Sequence, residues 1–523
     1  MPVHIDIPSQ LSNRSQTMTF EKLPYSFQIG TGSQSRETDR QTIEDFGIDG
    51  FTLMETAGLQ AAGLIANHFP GRSNGLFVCG KGNNAGDALV VARYLSIHHR
   101  HRCHIVFVSG VNELSPDAEK NYQLLKKLSG QTNEIHFLSA IGELGKKDLS
   151  GFDYVVDGLL GTGLTTDLRT PFDQAVKLIN RLNCTVYTMD IPTGLHADKG
   201  IPMPEAVRAN HTLSFGIRKL GFYLGSGPEY TGQIHPFDLS FPAHLREYTC
   251  SLLSPESDSY LPTIHRKARH KYADRVVYII AGSEGLTGAA IMASRSSWSS
   301  GAGAVILITP KGLLNIYEQT LPEIIKAPVG YDSDFHFKSG HLESVTEILS
   351  QKQGVLLIGP GLGRNPDTIA FTKQLLTSFK GTVLIDADAL YALEDSGKPE
   401  ESDWVLTPHP GEAAALRGKP FTDDYERINW SAEFSIQKGI TLVSKGSPTF
   451  IGTKSGENYL TGYDTQIFSR AGFGDILAGS ISAYIAITND PSWSSARALL
   501  DGYRKATEIE KRTGKPLKPI DLL

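Results

Sequence analysis

Cysteine is scarce in this 523-residue chain: four residues, Cys79, Cys103, Cys184 and Cys250, with no CxxC spacing among them. Scattered thiols predict reduced cysteines and a cytoplasmic home rather than a disulfide framework. Positive charge is not in excess either, since 50 Lys and Arg stand against 56 Asp and Glu for a net −6. That balance gives no electrostatic footprint for nucleic acid. No apolar run approaches the roughly 18 residues of a spanning helix, so no membrane segment is expected. The opening MPVHIDIPSQLSNRSQ lacks the charged-then-apolar layout of a signal peptide. Low-complexity tracts are missing as well, and 40% hydrophobic with 20% charged residues is the composition of a globular protein. The length allows roughly three or four average domains, or two large α/β ones.

What is present is a repeated alternation of short apolar strands, glycine turns and helices. The first 25 or so residues read as irregular. From Asp39 to Ala66 the pattern is helical, with Phe51, Leu53, Met54 and Leu59 as candidate core positions. GLFVCGKGNNAGDALVVARYL follows, a strand, a turn and a helix in which Gly80, Gly82 and Ala85 satisfy a GxGxxG/A spacing. A dinucleotide-binding unit would place an acid about 20 residues onward for the ribose. None occurs between Asp87 and Glu113, which argues against a dehydrogenase. HIVFVS (104–109), FDYVVDGLL (152–160) and CTVYTMDIP (184–192) read as buried parallel strands. The last two end in Asp157 and Asp190, where ligands of open α/β sheets bind. HHRHRCH (98–104) suggests metal by composition, but ligands packed that closely rarely converge, and a solvated basic turn is expected.

These turns carry a resemblance. GKGNNAGD, DGLLGTGL, DIPTG and FGIRKLGF, with LMETAG upstream, resemble the signatures of the YjeF N-terminal family of NAD(P)H-hydrate epimerases. The resemblance implies that Asn83, Asn84, Ala85, Gly86 and Asp87, with Gly161, Thr162, Gly163, Leu164, Thr165, Thr166 and Asp167, surround the hydrated nicotinamide nucleotide. It further implies that Asn84, Asp157 and Thr193 ligate potassium, and that Asp190 meets the substrate near the reacting carbon. Ala85 and Ala88 stand where the family usually has glycine, and Thr193 where it usually has serine.

Residues 246–265 mix Ser, Pro and charges and read as a linker, separating a domain of residues 1–245 from one of residues 266–523. The second half repeats the strand–glycine–helix theme through RVVYIIAGSEGLTGAAIMA, VLLIGPGLG, TVLIDADAL, WVLTPHPGE, TLVSKGSPTF and AGFGDILAG. In the last of these a glycine turn runs into an apolar helix with one carboxylate, Asp475, in its first turn. Such a turn favours an anion, and an acid beside it can take a proton from an attacking hydroxyl. This order resembles the NAD(P)H-hydrate dehydratase branch of the ribokinase-like superfamily. The resemblance implies that Ala289, Gly361, His409 and Asp475 face the hydrated dinucleotide. It places the adenine nucleotide, ADP or ATP with Mg²⁺, on Lys445, Gly446, Ser447, Pro448, Thr449 and Gly474. Phe473 departs from the family's usual Thr or Ala, and the usual HG near the C-terminus is replaced by LLDGYRKA.

The expectation is therefore two three-layer α/β/α domains, an N-terminal Rossmann-like fold and a C-terminal ribokinase-like fold. Together they would epimerise and dehydrate hydrated NADH or NADPH, with Asp190 and Asp475 as the catalytic residues. Small molecules are the expected partners, with no nucleic acid and no membrane, and a homo-oligomer is expected. Two other readings stay open: a vitamin- or thiazole-type kinase with a regulatory N-terminal nucleotide-binding module, and a non-catalytic binding module.

Overall fold

The computed structural model of the chain describes residues 23–139, 151–261, 276–393 and 397–523. Most of the opening stretch read as irregular lies outside the described residues. Two compact units are present, one of Leu23–Asp258 with Leu406–Ser469, the other including Ser259–Val405 and Arg470–Leu523.

In the first unit a seven-stranded parallel sheet runs in the order Ile135–Leu138, Arg102–Phe107, Asn74–Cys79, Tyr154–Gly158, Thr185–Met189, His211–Phe215, Gln233–Phe237. Alternation along each strand sends Phe77, Cys79, Ile105, Val156 and Met189 to one face, where the helices Gly50–His68 and Asn83–His99 cover them. Leu76, Val78, Val106, Val155 and Val186 go to the other face, against the helix Phe172–Ile179. The three strands expected at 104–109, 152–160 and 184–192 are present: the first is shifted two residues toward the N-terminus, and the other two are shorter because their ends belong to the following turns.

The helical pattern expected from Asp39 to Ala66 is interrupted. A helix Gly32–Arg40 and a wider turn Gln41–Phe46 end at Gly47, and Gly50–His68 starts afresh after Asp49. Leu53 and Met54 are buried, but Leu59 is 49% exposed and leaves the candidate core. The stretch expected to be a linker contains a buried strand, Cys250–Leu253. It belongs to a ribbon with Thr441–Ser444, Phe450–Gly452, Tyr459–Thr461, Gln28–Gly30 and Arg218–Lys219. Its apolar CSLL pairs with Tyr459–Thr461 on one side and Gln28–Gly30 on the other, so its backbone groups are used in full ladders.

In the second unit, five parallel strands run Ile325–Val329, Val305–Pro310, Val276–Ile280, Gly354–Ile358, Thr382–Ile385. The helices Thr287–Ser299 and Phe473–Thr488 pack closely because their contact is built of small residues. A Cβ on Gly479 would stand 2.4 Å from the Ala293 carbonyl. Ser296 donates to the Ile476 carbonyl at 2.6 Å, and Ser297 and Ser482 share a hydrogen bond of 3.2 Å. No helix among the described residues is long and apolar enough to cross a membrane.

Candidate active site

The carboxyl ends of the central strands of the seven-stranded sheet open into a cavity of about 540 Å³. Its wall is formed by the helix Gly32–Arg40, the GKGNNAGD turn, the DGLLGTGL turn and Asp190. The GKGNNAGD turn needs glycine at position 80, where a Cβ would stand 2.0 Å from the Leu159 carbonyl. Lys81, Gly82, Asn83, Asn84 and Asp87 line the cavity; Ala85 and Gly86 do not. Ala85 and Ala88 are fully buried, and the Ala88 methyl packs toward Gly158, which has no side chain there. The two methyls that depart from the family pattern thus fill the helix–strand contact, and the cavity wall is unaffected by them.

From the second loop, Gly161, Thr162, Gly163 and Leu164 reach the cavity, whereas Thr165, Thr166 and Asp167 do not. Arg36 Nη1 donates to the Thr162 carbonyl at 2.6 Å and so ties this loop to the first helix.

Asp157, Thr193 and Asn84 are brought together beneath the cavity floor. The Thr193 hydroxyl lies 2.8 Å from Asp157 Oδ1, and the Thr193 and Leu159 amides donate to the same carboxylate at 2.9 and 3.1 Å. Burial pushes Asp157 up to about 6, against these hydrogen bonds. The Asn84 side-chain amide donates to the carbonyls of Leu160 and Met189 at 3.2 and 2.7 Å. A carboxylate, a hydroxyl and an amide, all hard donors, form a set suited to an alkali or alkaline-earth ion.

Asp190 follows directly on the strand Thr185–Met189 and takes a left-handed φ of 63°, unusual for a residue with a side chain. The turn aims its carboxylate back at the sheet, where Oδ1 accepts from the Phe215 amide at 3.2 Å and from the Lys219 ammonium. Lys219 is fully buried and also donates to the Phe215 carbonyl at 3.2 Å. Asp39 and Asp87 also line the wall, with Arg36, Lys81 and Asp117. Burial raises Asp87 well above the usual carboxylate range, with Asp190 and Asp39 adding to the shift. Asp39, Lys219 and Arg36 were not singled out from sequence. Only Lys219 carried a signal, as a lysine within FGIRKLGF.

Among the described residues no group of His, Cys, Asp or Glu is arranged to hold a metal ion, HHRHRCH included. Its His101 is buried rather than solvated, with ring nitrogens 2.9 Å from the Tyr154 hydroxyl and 3.1 Å from the Phe69 carbonyl.

The residues expected to act in the second half are described unit by unit. In the unit with the five-stranded sheet, Gly472 takes φ 100° and caps the helix Phe473–Thr488, setting Gly474 and the half-buried Asp475 in its first turn. Phe473 is 4% exposed, so its ring belongs to the core and does not narrow the turn. Gly361, at φ 62°, approaches Ala289 so closely that a Cβ on it would stand 3.0 Å from the alanine methyl. In the other unit, His409 Nδ1 accepts from the amides of Gly411 and Glu412 at 3.0 and 3.3 Å, capping the helix Pro410–Arg417. The Lys445 amide donates to the Pro408 carbonyl at 2.9 Å, which brings the TPHPGE and KGSPT turns together. Buried Arg427, also missed from sequence, shapes Lys445–Thr449. It donates to the Pro448 carbonyl at 2.8 Å and the Ser444 carbonyl at 3.1 Å. Its place in the first turn of the helix Asp424–Lys438 offered no signal.

Residues 50–221 match the model of the family described as YjeF-related protein N-terminus, and residues 277–519 the family described as NAD(P)H-hydrate dehydratase. Over 497 residues the chain is 32% identical to the bifunctional NAD(P)H-hydrate repair enzyme Nnr of Salinibacter ruber, covering 90% of each chain. It is 28% identical to the Escherichia coli enzyme of the same description over 475 residues, 89% of this chain and 87% of that one. Among solved structures, the ADP/ATP-dependent NAD(P)H-hydrate dehydratase of Bacillus subtilis, co-crystallized with ATP/Mg²⁺, matches with a TM-score of 0.45 and 23% identity. It covers 52% of this chain and 94% of that one.

Proposed function

The chain belongs to the bifunctional NAD(P)H-hydrate repair enzymes, and we propose that residues 1–245 carry the epimerase and residues 266–523 the dehydratase. The protein epimerises the R and S hydrates of NADH and NADPH and dehydrates the S hydrate back to NAD(P)H, using ADP or ATP. It is an isomerase and a lyase in one chain, and the kinase reading gives way to this one. The observation that carries the site assignment is the cavity itself. It opens at the carboxyl ends of the sheet strands and gathers Asn83, Asn84, Asp87, Gly161–Leu164 and Asp190 in one wall.

In the epimerase half, Asp190 faces the hydrated carbon and exchanges a proton there. Asn84, Asp157 and Thr193 hold K⁺, whose positive charge would balance the buried Asp157 carboxylate. The hydrated nucleotide lies along Asn83–Asp87 and Gly161–Asp167, with the residues that line the cavity in direct contact and the others supporting the turns.

In the dehydratase half, hydroxide is a poor leaving group, and phosphoryl transfer converts it into a good one. Asp475 takes the proton of the substrate hydroxyl, and the hydroxyl oxygen attacks the terminal phosphorus of the nucleotide, breaking its bond to the bridging oxygen so that ADP leaves from ATP, or AMP from ADP. Phosphate then leaves with the C–O bonding pair while the neighbouring ring carbon gives up a proton, restoring the 5,6 double bond. Lys445, Gly446, Ser447, Pro448, Thr449 and Gly474 would hold the adenine nucleotide, and Mg²⁺ bound with it would offset the phosphate charge. Ala289, Gly361 and His409 contact the substrate. A homo-oligomer is part of the same proposal, and the scattered free cysteines support a cytoplasmic setting.

The epimerase assignment is tested with the full chain and no nucleotide, following R and S hydrate by chromatography. Interconversion is expected to be several-fold faster in potassium than in sodium buffer. Equal rates would remove the ion from Asn84, Asp157 and Thr193, and a rate no faster than the spontaneous one would remove the epimerase.

A further inference from the structure

Moving the hydroxyl from one face of a ring carbon to the other needs a proton donor when it leaves and a proton acceptor when water returns. Besides Asp190 the epimerase cavity holds three carboxyl groups; Asp117 is ion-paired with Lys120 at 3.0 Å, which leaves Asp39 and Asp87. They come from different elements, Asp39 from the helix Gly32–Arg40 and Asp87 from the helix Asn83–His99. Asp87 is 8% exposed. Asp39 is half-buried and lines the open cavity, so it is the one of the two placed to meet a substrate.

We propose that Asp39 is the second catalytic residue of the epimerase, the acid that protonates the departing hydroxyl, with Asp190 as the base. This rests on the epimerase reading of the cavity. Protonated Asp39 gives its proton to the hydroxyl on the carbon beside the ring nitrogen. The C–O bond breaks, the nitrogen lone pair forms a C=N bond, and water leaves. Water adds to the opposite face of the planar carbon, its oxygen supplying the new bond and its extra proton passing to Asp190. The nitrogen recovers its lone pair, and the proton on Asp190 returns to Asp39 through solvent in the cavity. Nothing is oxidised or reduced, and the product differs from the substrate only in configuration.

The environment divides the two roles. Asp190 is ion-paired with the fully buried Lys219 ammonium, which suits it to be the carboxylate partner. Among the described residues Asp39 forms no ion pair within 4 Å. The groups that face it are Asp190 and Lys219 from the strand ends and Asp87 from the neighbouring helix. Arg36 on its own helix, Lys81 and Asp117 complete the charged lining. Burial pushes Asp39 up to about 7, the Asp190 charge adds to this, and Lys219 opposes it. Such a group still holds a proton near neutrality, as a general acid must.

The test uses the full chain, with epimer interconversion measured from pH 5.5 to 9 above the spontaneous rate. Wild-type kcat/KM is expected to fall tenfold per pH unit above about pH 7, since the protonated form is the active one. Asp39→Asn should lower the rate at pH 6.5 by about a hundredfold or more and lose that descending limb. Asp39→Glu should recover part of the rate and the limb with it. Dehydration of S hydrate by the same preparation serves as the folding control. A wild-type profile flat through pH 7 to 9 would overturn the proposal without recourse to any variant. So would an Asp39→Asn protein within threefold of wild type. A wild-type protein with no interconversion at any pH would overturn the epimerase reading itself.

Discussion

Replacing Asp475 by Asn is expected to cut nucleotide-dependent recovery of NADH from its S hydrate by at least about a hundredfold, the usual cost of losing a general base. The substitution keeps the size of the side chain and its place in the first turn of the helix Phe473–Thr488. It removes the negative charge and with it the capacity to accept a proton. The backbone that positions the group is set by other residues: Gly472 at φ 100°, the buried Phe473, and the serine contacts at Ser296 and Ser297. Epimerisation without nucleotide should continue at the wild-type rate. Recovery near the wild-type rate would take the base away from Asp475.

Asp190→Asn is expected to lower epimer interconversion by about 10²–10⁴-fold. Two effects combine. The amide cannot take the proton of the returning water, and the buried Lys219 loses its counter-charge. Removing one partner of a buried pair costs about 3–5 kcal/mol, so a lower melting temperature is expected together with the lost rate. Dehydration of pure S hydrate should survive, because it needs no epimer exchange. A folded Asp190→Asn protein that still interconverts the epimers would discard Asp190 as the acid–base residue.

Much of the candidate site was legible because its residues end strands. Asp157 and Asp190 follow apolar runs that can only be buried strands, and the fold places strand ends at the cavity. Glycine spacing located the GKGNNAGD turn for the same reason. What sequence could not give is which way each side chain points. Ala85 and Ala88 sit in a phosphate-type turn yet face the sheet, because Gly158 leaves room for a methyl. Asp39 lies in the helix GSQSRETDR, a polar run with no apolar strand before it to mark a site. Its importance comes from a wall contributed by residues remote in the chain, among them Asp87 and Asp190. Lys219 is a charge inside a motif, and nothing local announces that it is fully buried. The strand Cys250–Leu253 was hidden by the Ser, Pro and charged residues that follow it, since its stability comes from pairing with Tyr459–Thr461, a partner remote in sequence.

The central claim is that one chain repairs hydrated NAD(P)H by two linked reactions. Its most direct test supplies the purified full chain with a mixture of R and S hydrates of NADH, Mg²⁺, potassium and either ADP or ATP. The dihydronicotinamide absorbance in the near ultraviolet is then followed to completion. The account predicts that absorbance returns for the whole mixture, R hydrate included, with one orthophosphate released per NADH formed and no phosphorylated product left. Absorbance that stops at the S fraction would contradict the epimerase, and a stable phosphorylated product with no absorbance return would contradict the dehydratase.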